Sequence, residues 1–111
     1  MTSIILKFNG SSLLVAAKSI TKNVFHKTKG LCLLSAEDRM LTITYRRKEV
    51  GVSFLGSGTA KFSMNVGALK VIAQSKDEVL CSEFHIYDDH VSLGPDEGFS
   101  VSISRLPPSE A

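Results

Sequence analysis

The chain carries one pattern twice, and that repetition leaves few folds open to it. Leu13-Leu14-Val15-Ala16-Ala17-Lys18-Ser19 aligns with Leu69-Lys70-Val71-Ile72-Ala73-Gln74-Ser75, with identities at Leu13/Leu69, Val15/Val71, Ala17/Ala73 and Ser19/Ser75. Further on, Glu37-Asp38-Arg39-Met40 aligns with Asp88-Asp89-His90-Val91, and Val52-Ser53-Phe54 with Val101-Ser102-Ile103. The offset falls from 56 to 51 to 49 residues, so the first copy is expected to have the longer helix exit and the longer hairpin connections. Self-similarity of this kind marks a duplicated supersecondary unit.

Reading each copy in turn gives the order β-α-β-β-β. Ser3 to Phe8 alternates loosely and ends at Asn9-Gly10, a strand and a turn. Ser11 or Ser12 then caps a helix whose apolar face is Leu13, Ala17, Ile20 and Val24, with Lys18, Lys22, Ser19 and Asn23 opposite. His26 to Gly30 ends it, with cations near the negative pole. Strands follow over 31–35, 40–46 and 50–55, the second with Leu41, Ile43 and Tyr45 alternating against Thr42, Thr44 and Arg46. Gly56-Ser57-Gly58 is the seam. The second copy runs as a strand over 59–64, a cap at Asn65, a helix over 66–75, and strands over 78–87, 90–93 and 99–104. Gly94-Pro95-Asp96-Glu97-Gly98 reads as a turn, and the tail from Pro107 as frayed.

The expected architecture is a single α+β domain over residues 1–111, with repeats at 3–56 and 59–106. Antiparallel sheets carry both helices on one side. That length suits one core without staples. A net charge of +2 and a pI near 8.6 are mildly basic, short of a nucleic-acid tail. No apolar run is long enough to span a membrane, and the N-terminus lacks the pattern of a signal peptide, so a cytoplasmic location is expected. Cys32 and Cys81 each sit in an apolar run and read as buried free thiols.

This order of elements resembles one domain of the DNA sliding clamps, nearest to the N-terminal domain of the bacterial DNA polymerase III β subunit. Ala36-Glu37-Asp38-Arg39-Met40-Leu41-Thr42-Ile43-Thr44 resembles that family's A-D-G-x-L-x-L-T-A pattern. Phe99 to Pro107 resembles its F-x-L-x-x-L-P ending, and the opening strand Ile4 to Phe8 and helix Leu13 to Val24 add to the likeness. The resemblance implies helices lining a ring and presenting basic side chains to duplex DNA, through phosphate contacts that are blind to sequence and sensitive to salt. The positions that match are Lys18, Lys22, Lys27 and Lys29 of the first copy and Lys70 of the second, with Lys76 beside it. Solvation of two amphipathic helices accounts for the same lysines. Clamps of that family have three such domains per subunit and a partner-peptide pocket in the later ones. One domain alone needs six copies to close a ring, a homo-oligomer joined edge strand to edge strand.

A second class of function fits the same sequence: a stand-alone protein-binding module, such as an immunity or inhibitor protein that neutralises a toxin or nuclease. Its interface is then expected on Arg46, Arg47, Lys48 and Glu49 on one side and Asp88, Asp89, Asp96 and Glu97 on the other. Cys81, His85, Asp88, Asp89 and His90 have metal-ligand chemistry, but the repeat explains the acids as turn formers. No nucleophile elbow, phosphate loop or carboxylate pair appears, so neither catalysis nor a cofactor is expected. The aromatic residues Phe8, Phe25, Tyr45, Phe54, Phe62, Phe84, Tyr87 and Phe99 read mostly as core.

Overall fold

The structure, a computed structural model, describes residues 4–9, 11–25, 27–75, 82–96 and 99–108. Ten elements follow one another: β1 (Ile4–Phe8), α1 (Ser12–Ile20), β2 (Leu31–Glu37), β3 (Met40–Tyr45), β4 (Lys48–Leu55), β5 (Ala60–Asn65), α2 (Val66–Ser75), β6 (Glu83–Ile86), β7 (His90–Asp96) and β8 (Phe99–Ser104). Alternation decides the strands. In β3, Leu41, Ile43 and Tyr45 are buried while Thr42 and Thr44 are half-exposed, the period-two signature of a strand with one wet face.

The α+β class holds, but the expected separate sheets are one. All eight strands join a continuous antiparallel sheet in the order β5-β2-β3-β4-β1-β6-β7-β8. Its middle is held by only two residue pairs, Lys7 with Leu55 and Phe8 with Phe54. So short a junction lets the sheet bend there, and its ends nearly meet. Ser63 in β5 and Leu106 just past β8 exchange two backbone hydrogen bonds of 2.9 Å, and the sheet is almost a barrel.

Several pairings of one half have a counterpart in the other. Leu6 pairs with Phe84 while Phe62 pairs with Leu34, which relates β1 to β5 at 56 residues and β2 to β6 at 50. Leu41 pairs with Val52 as Val91 pairs with Ile103, relating β4 to β8 at 51. The corner pair Lys7–Leu55 then falls on the Ser63–Leu106 bridge. Val52 therefore corresponds to Ile103 and not to Val101. The turn Asp38-Arg39 corresponds to Asp88-Asp89, one residue from the sequence alignment. Only the helix exit is longer in the first half. In the second half a bulge between Leu93 and Asp96, with Gly94 at φ 122°, lengthens the hairpin instead. Asp96 consequently belongs to β7, paired with Phe99, rather than to a turn.

α2 spans the expected residues, and Asn65 Oδ1 accepts the Ala68 N–H at 3.2 Å as its cap. α1 stops at Ile20, four residues before Val24. The Thr21 hydroxyl donates to the Ala17 carbonyl at 2.6 Å, and this back-bonding competes with continued helix. Val24 N–H then turns back to the Thr21 carbonyl. Ser11 occupies the α1 cap position without a side-chain bond. The helices pack against each other and share one apolar cluster with the sheet, including Leu13, Ala17, Leu69, Ile72, Phe62 and Phe84. Cys32 is a free thiol buried in that cluster, and burial pushes its pKa up to about 12, so it stays protonated at neutral pH. Cys81 lies outside the described residues.

The hairpin between β2 and β3 places both Asp38 and Arg39 at positive φ, 52° and 62°. Two such residues define the turn that favours Asn-Gly or Asp-Gly, and an arginine there is strained. Arg39→Gly should therefore stabilise the fold by about 1 kcal/mol, seen as a rise in the thermal midpoint of ~4–8 °C. A lower midpoint would show that the Arg39 side chain contributes more than its backbone costs.

Candidate functional site

Two of the expected cations, Lys18 and Lys22, lie four residues apart and so on one side of α1 and its exit, both exposed. Helix packing brings a third. Lys70 of α2 reaches across the interhelical contact, and its ammonium donates to the Thr21 carbonyl at 2.9 Å. This neutralises the negative end of α1 and fixes the lysine in a half-buried position. An ammonium has three donors, so two remain for a ligand. Lys18, Lys22, Lys70, Ala73 and Gln74 line one groove between the helices, and no carboxylate is among them. Lys27 and Lys29 are exposed on the connection to β2 but do not line this groove. Lys76 falls outside the described residues.

The groove continues past the end of α1. Lys22, Asn23, Val24, Phe25, Lys70 and Gln74 line the next depression. Phe25 is 78% exposed there, against its expected place in the core. Its exposure follows from the early stop of α1, because beyond Thr21 the helical phase no longer aims side chains at the sheet. Asn23 and Val24 also line a third depression with Ile20, Thr28, Tyr45, Arg46, Arg47 and Lys48. Basic residues from α1, α2 and the β3–β4 hairpin thus form one strip. A signal for it was present in the chain: residues 1–36 contain five lysines and no aspartate or glutamate.

The two sides of the expected protein interface are not assembled in this way. Arg46, Arg47 and Lys48 face the exit of α1, whereas alternation along β4 puts Glu49 on the other face of the sheet from Lys48. Asp88 and Asp89 sit at the β6–β7 turn, while Asp96 is at the opposite end of β7, a seven-residue strand and so ~20 Å away. Glu97 lies outside the described residues. Asp88 shares a shallow depression with Lys61, Arg105 and Leu106 beside the bridge that nearly closes the sheet. Arg105 is committed there: its guanidinium donates to the Tyr87 carbonyl at 2.9 Å and lies over the Phe62 ring.

The metal-ligand types near this turn are engaged with one another. Asp89 Oδ1 lies 2.6 Å from His90 Nδ1, and that hydrogen bond lowers the Asp89 pKa. The His90 ring stacks on Tyr87 at 4.6 Å. His85 Nε2 is 3.3 Å from a Glu83 carboxylate oxygen, without the alignment of a hydrogen bond. Among the described residues, no group of three or more such side chains converges on a metal-sized site. No helix among them is long and apolar enough to cross a membrane.

Strand edges stay open among the described residues, including the outer side of β5 apart from the Ser63–Leu106 bridge. The outer side of β4 pairs with no strand from Lys48 to Ser53, and β8 has only β7 beside it from Phe99 to Ser104. No protein-family model matches the chain, and no curated protein sequence matches it.

Proposed function

We propose that the chain is a non-catalytic module of sliding-clamp type that associates with duplex DNA through its helical face. The observation that carries this reading is the interhelical groove, which Lys18, Lys22 and Lys70 line with no acid among the described lining residues. Three ammonium groups give phosphate contacts that hold DNA without reading its sequence and so let it slide. The matching pairings of the two halves support the duplicated β-α-β-β-β unit behind the resemblance. The open sides of β4 and β8 are the surfaces on which copies would join edge to edge.

The test is light scattering at low and moderate salt, with and without duplex DNA. A species near six times 12.0 kDa that retains DNA supports the ring. Retention should fall with a log–log salt slope of roughly −3 for each copy that engages the duplex, at ~0.9 per phosphate contact. Lys18→Glu with Lys22→Glu should abolish retention while leaving the far-ultraviolet spectrum unchanged. A monomer indifferent to DNA at every salt concentration sinks the reading, and a protein partner becomes the object of search.

A further inference from the structure

The β3–β4 hairpin and the exit of α1 flank a solvent-open cavity of about 490 Å³ that the DNA reading does not use. That volume lies within the roughly 300–1,000 Å³ of small-ligand clefts. Its floor is apolar, made by Ile20, Val24 and the Tyr45 ring, and its rim carries Arg46, Arg47 and Lys48. Asn23 and Thr28 add donors. The Thr28 oxygen already accepts the Phe25 N–H at 3.1 Å, so its own O–H is the group left to donate. Among the described residues, no acidic side chain lines the cavity. Three cations without a counter-charge suit a dianion better than a single carboxylate, and paired guanidinium groups match the geometry of phosphate oxygens. A phosphomonoester carries about −1.5 to −2 at neutral pH.

The backbone of the hairpin adds a separate observation. Arg46 is the first residue of the two-residue turn and sits at φ 55°, in the left-handed region. Asparagine or glycine takes that conformation at lower cost. The guanidinium of Arg46 lies 5.4 Å from the Tyr45 ring centroid, over the cavity floor. A strained residue whose charged end is held at the mouth of a cavity points to a binding role.

We infer that this cavity binds a nucleotide-sized phosphomonoester, with the phosphate on Arg46, Arg47 and Lys48 and the organic body on Ile20, Val24 and Tyr45. The ligand is either a free nucleotide or the phosphorylated end of a DNA strand. The test titrates the full chain with thymidine 5′-monophosphate and follows the amide resonances of Asn23, Thr28 and Arg47. Saturable shifts at these positions are expected, absent with thymidine and weakened at least tenfold by Arg46→Gly or Arg47→Ala. Arg46→Gly should also raise the thermal midpoint by a few degrees, so its loss of binding cannot come from unfolding. Equal shifts with thymidine, no saturation, or an unchanged affinity in Arg46→Gly overturns the inference. In a Lys18→Glu/Lys22→Glu background saturable, phosphate-dependent shifts should persist, since neither side chain lines this cavity. Loss of duplex retention and loss of nucleotide binding are thereby separable. In the same background, competition by a 5′-phosphorylated blunt duplex but not its 5′-hydroxyl form assigns the ligand to strand ends, and absence of competition assigns it to the free nucleotide.

Discussion

Phe84→Ala should remove about 3–5 kcal/mol of stability, the range for deleting a buried phenylalanine side chain. A chain of 111 residues has ~5–15 kcal/mol in total, so the variant is expected to be partly unfolded at 37 °C. The position makes the upper part of that range the expected one. Phe84 is fully buried and lies in β6, the strand through which the second half joins β1. It pairs with Leu6 on one side and Leu93 on the other. Its ring meets the edge of Phe8 at 5.3 Å, and Phe8 in turn meets Phe54 at 6.4 Å. Three aromatic side chains from β4, β1 and β6 therefore span the place where the sheet bends. Backbone hydrogen bonds are few there, since β1 and β4 share only two residue pairs. Packing has to supply what pairing does not. Urea unfolding with an unchanged m-value measures the loss as a shift in midpoint. A cost below about 1 kcal/mol would mean that the halves hold together without this cluster.

Much of this arrangement is legible from local pattern. Leu41, Ile43 and Tyr45 alternate because one face of β3 is wet, and every one of them is buried. The helix of the second half ends where its apolar period ends, at Ser75. In the first half the period runs on to Val24 although the helix does not. Val24 is buried, but it gets there from a turn, past a Thr21 whose N–H and hydroxyl both donate to the Ala17 carbonyl. A periodic pattern records which side chains face the core and is silent about the backbone that brings them there. The near-closure of the sheet is illegible for a different reason. Ser63 and Leu106 are 43 residues apart, and nothing in either neighbourhood specifies the other.

The same division holds at the site. Lys18 and Lys22 can be assigned to one side from spacing alone, since residues four apart on a helix are neighbours. Lys70 joins them only because α2 packs on α1, and its ammonium is anchored by a carbonyl that α1 exposes by ending early. Arg46 and Arg47 read as one turn of a charged edge, yet the fold turns them towards Asn23 and Thr28, about twenty residues earlier. The acids at the β6–β7 turn and Asp96 are held a strand length apart by β7. Charged residues four apart on a helix are reliable neighbours, whereas charged residues adjacent on a strand, such as Lys48 and Glu49, or grouped by type across a fold, are not.

Gly56→Ala should be as damaging as the core deletion, by roughly 3 kcal/mol or more, through the backbone alone. Gly56 adopts φ 134°, a region that L-residues with a Cβ rarely enter. A Cβ built there would lie 2.4 Å from the Ile5 carbonyl oxygen. That oxygen belongs to a strand, so it cannot rotate aside as a side chain would. Relief requires β1 to move, and β1 is paired to β6 along four residues and to β4 at the bend. Gly51→Ala is the control. A Cβ at Gly51 meets the Met40 Sδ at 3.0 Å, the far end of a flexible side chain, and its backbone needs no positive φ. The expected cost there is within about 1 kcal/mol, of either sign, because alanine also favours extended backbone over glycine. Circular dichroism through a urea series on both variants reads the difference. Equal midpoints for the two would show that the seam after β4 yields freely, and the tight passage of Gly56 past β1 would then have no part in holding the halves together.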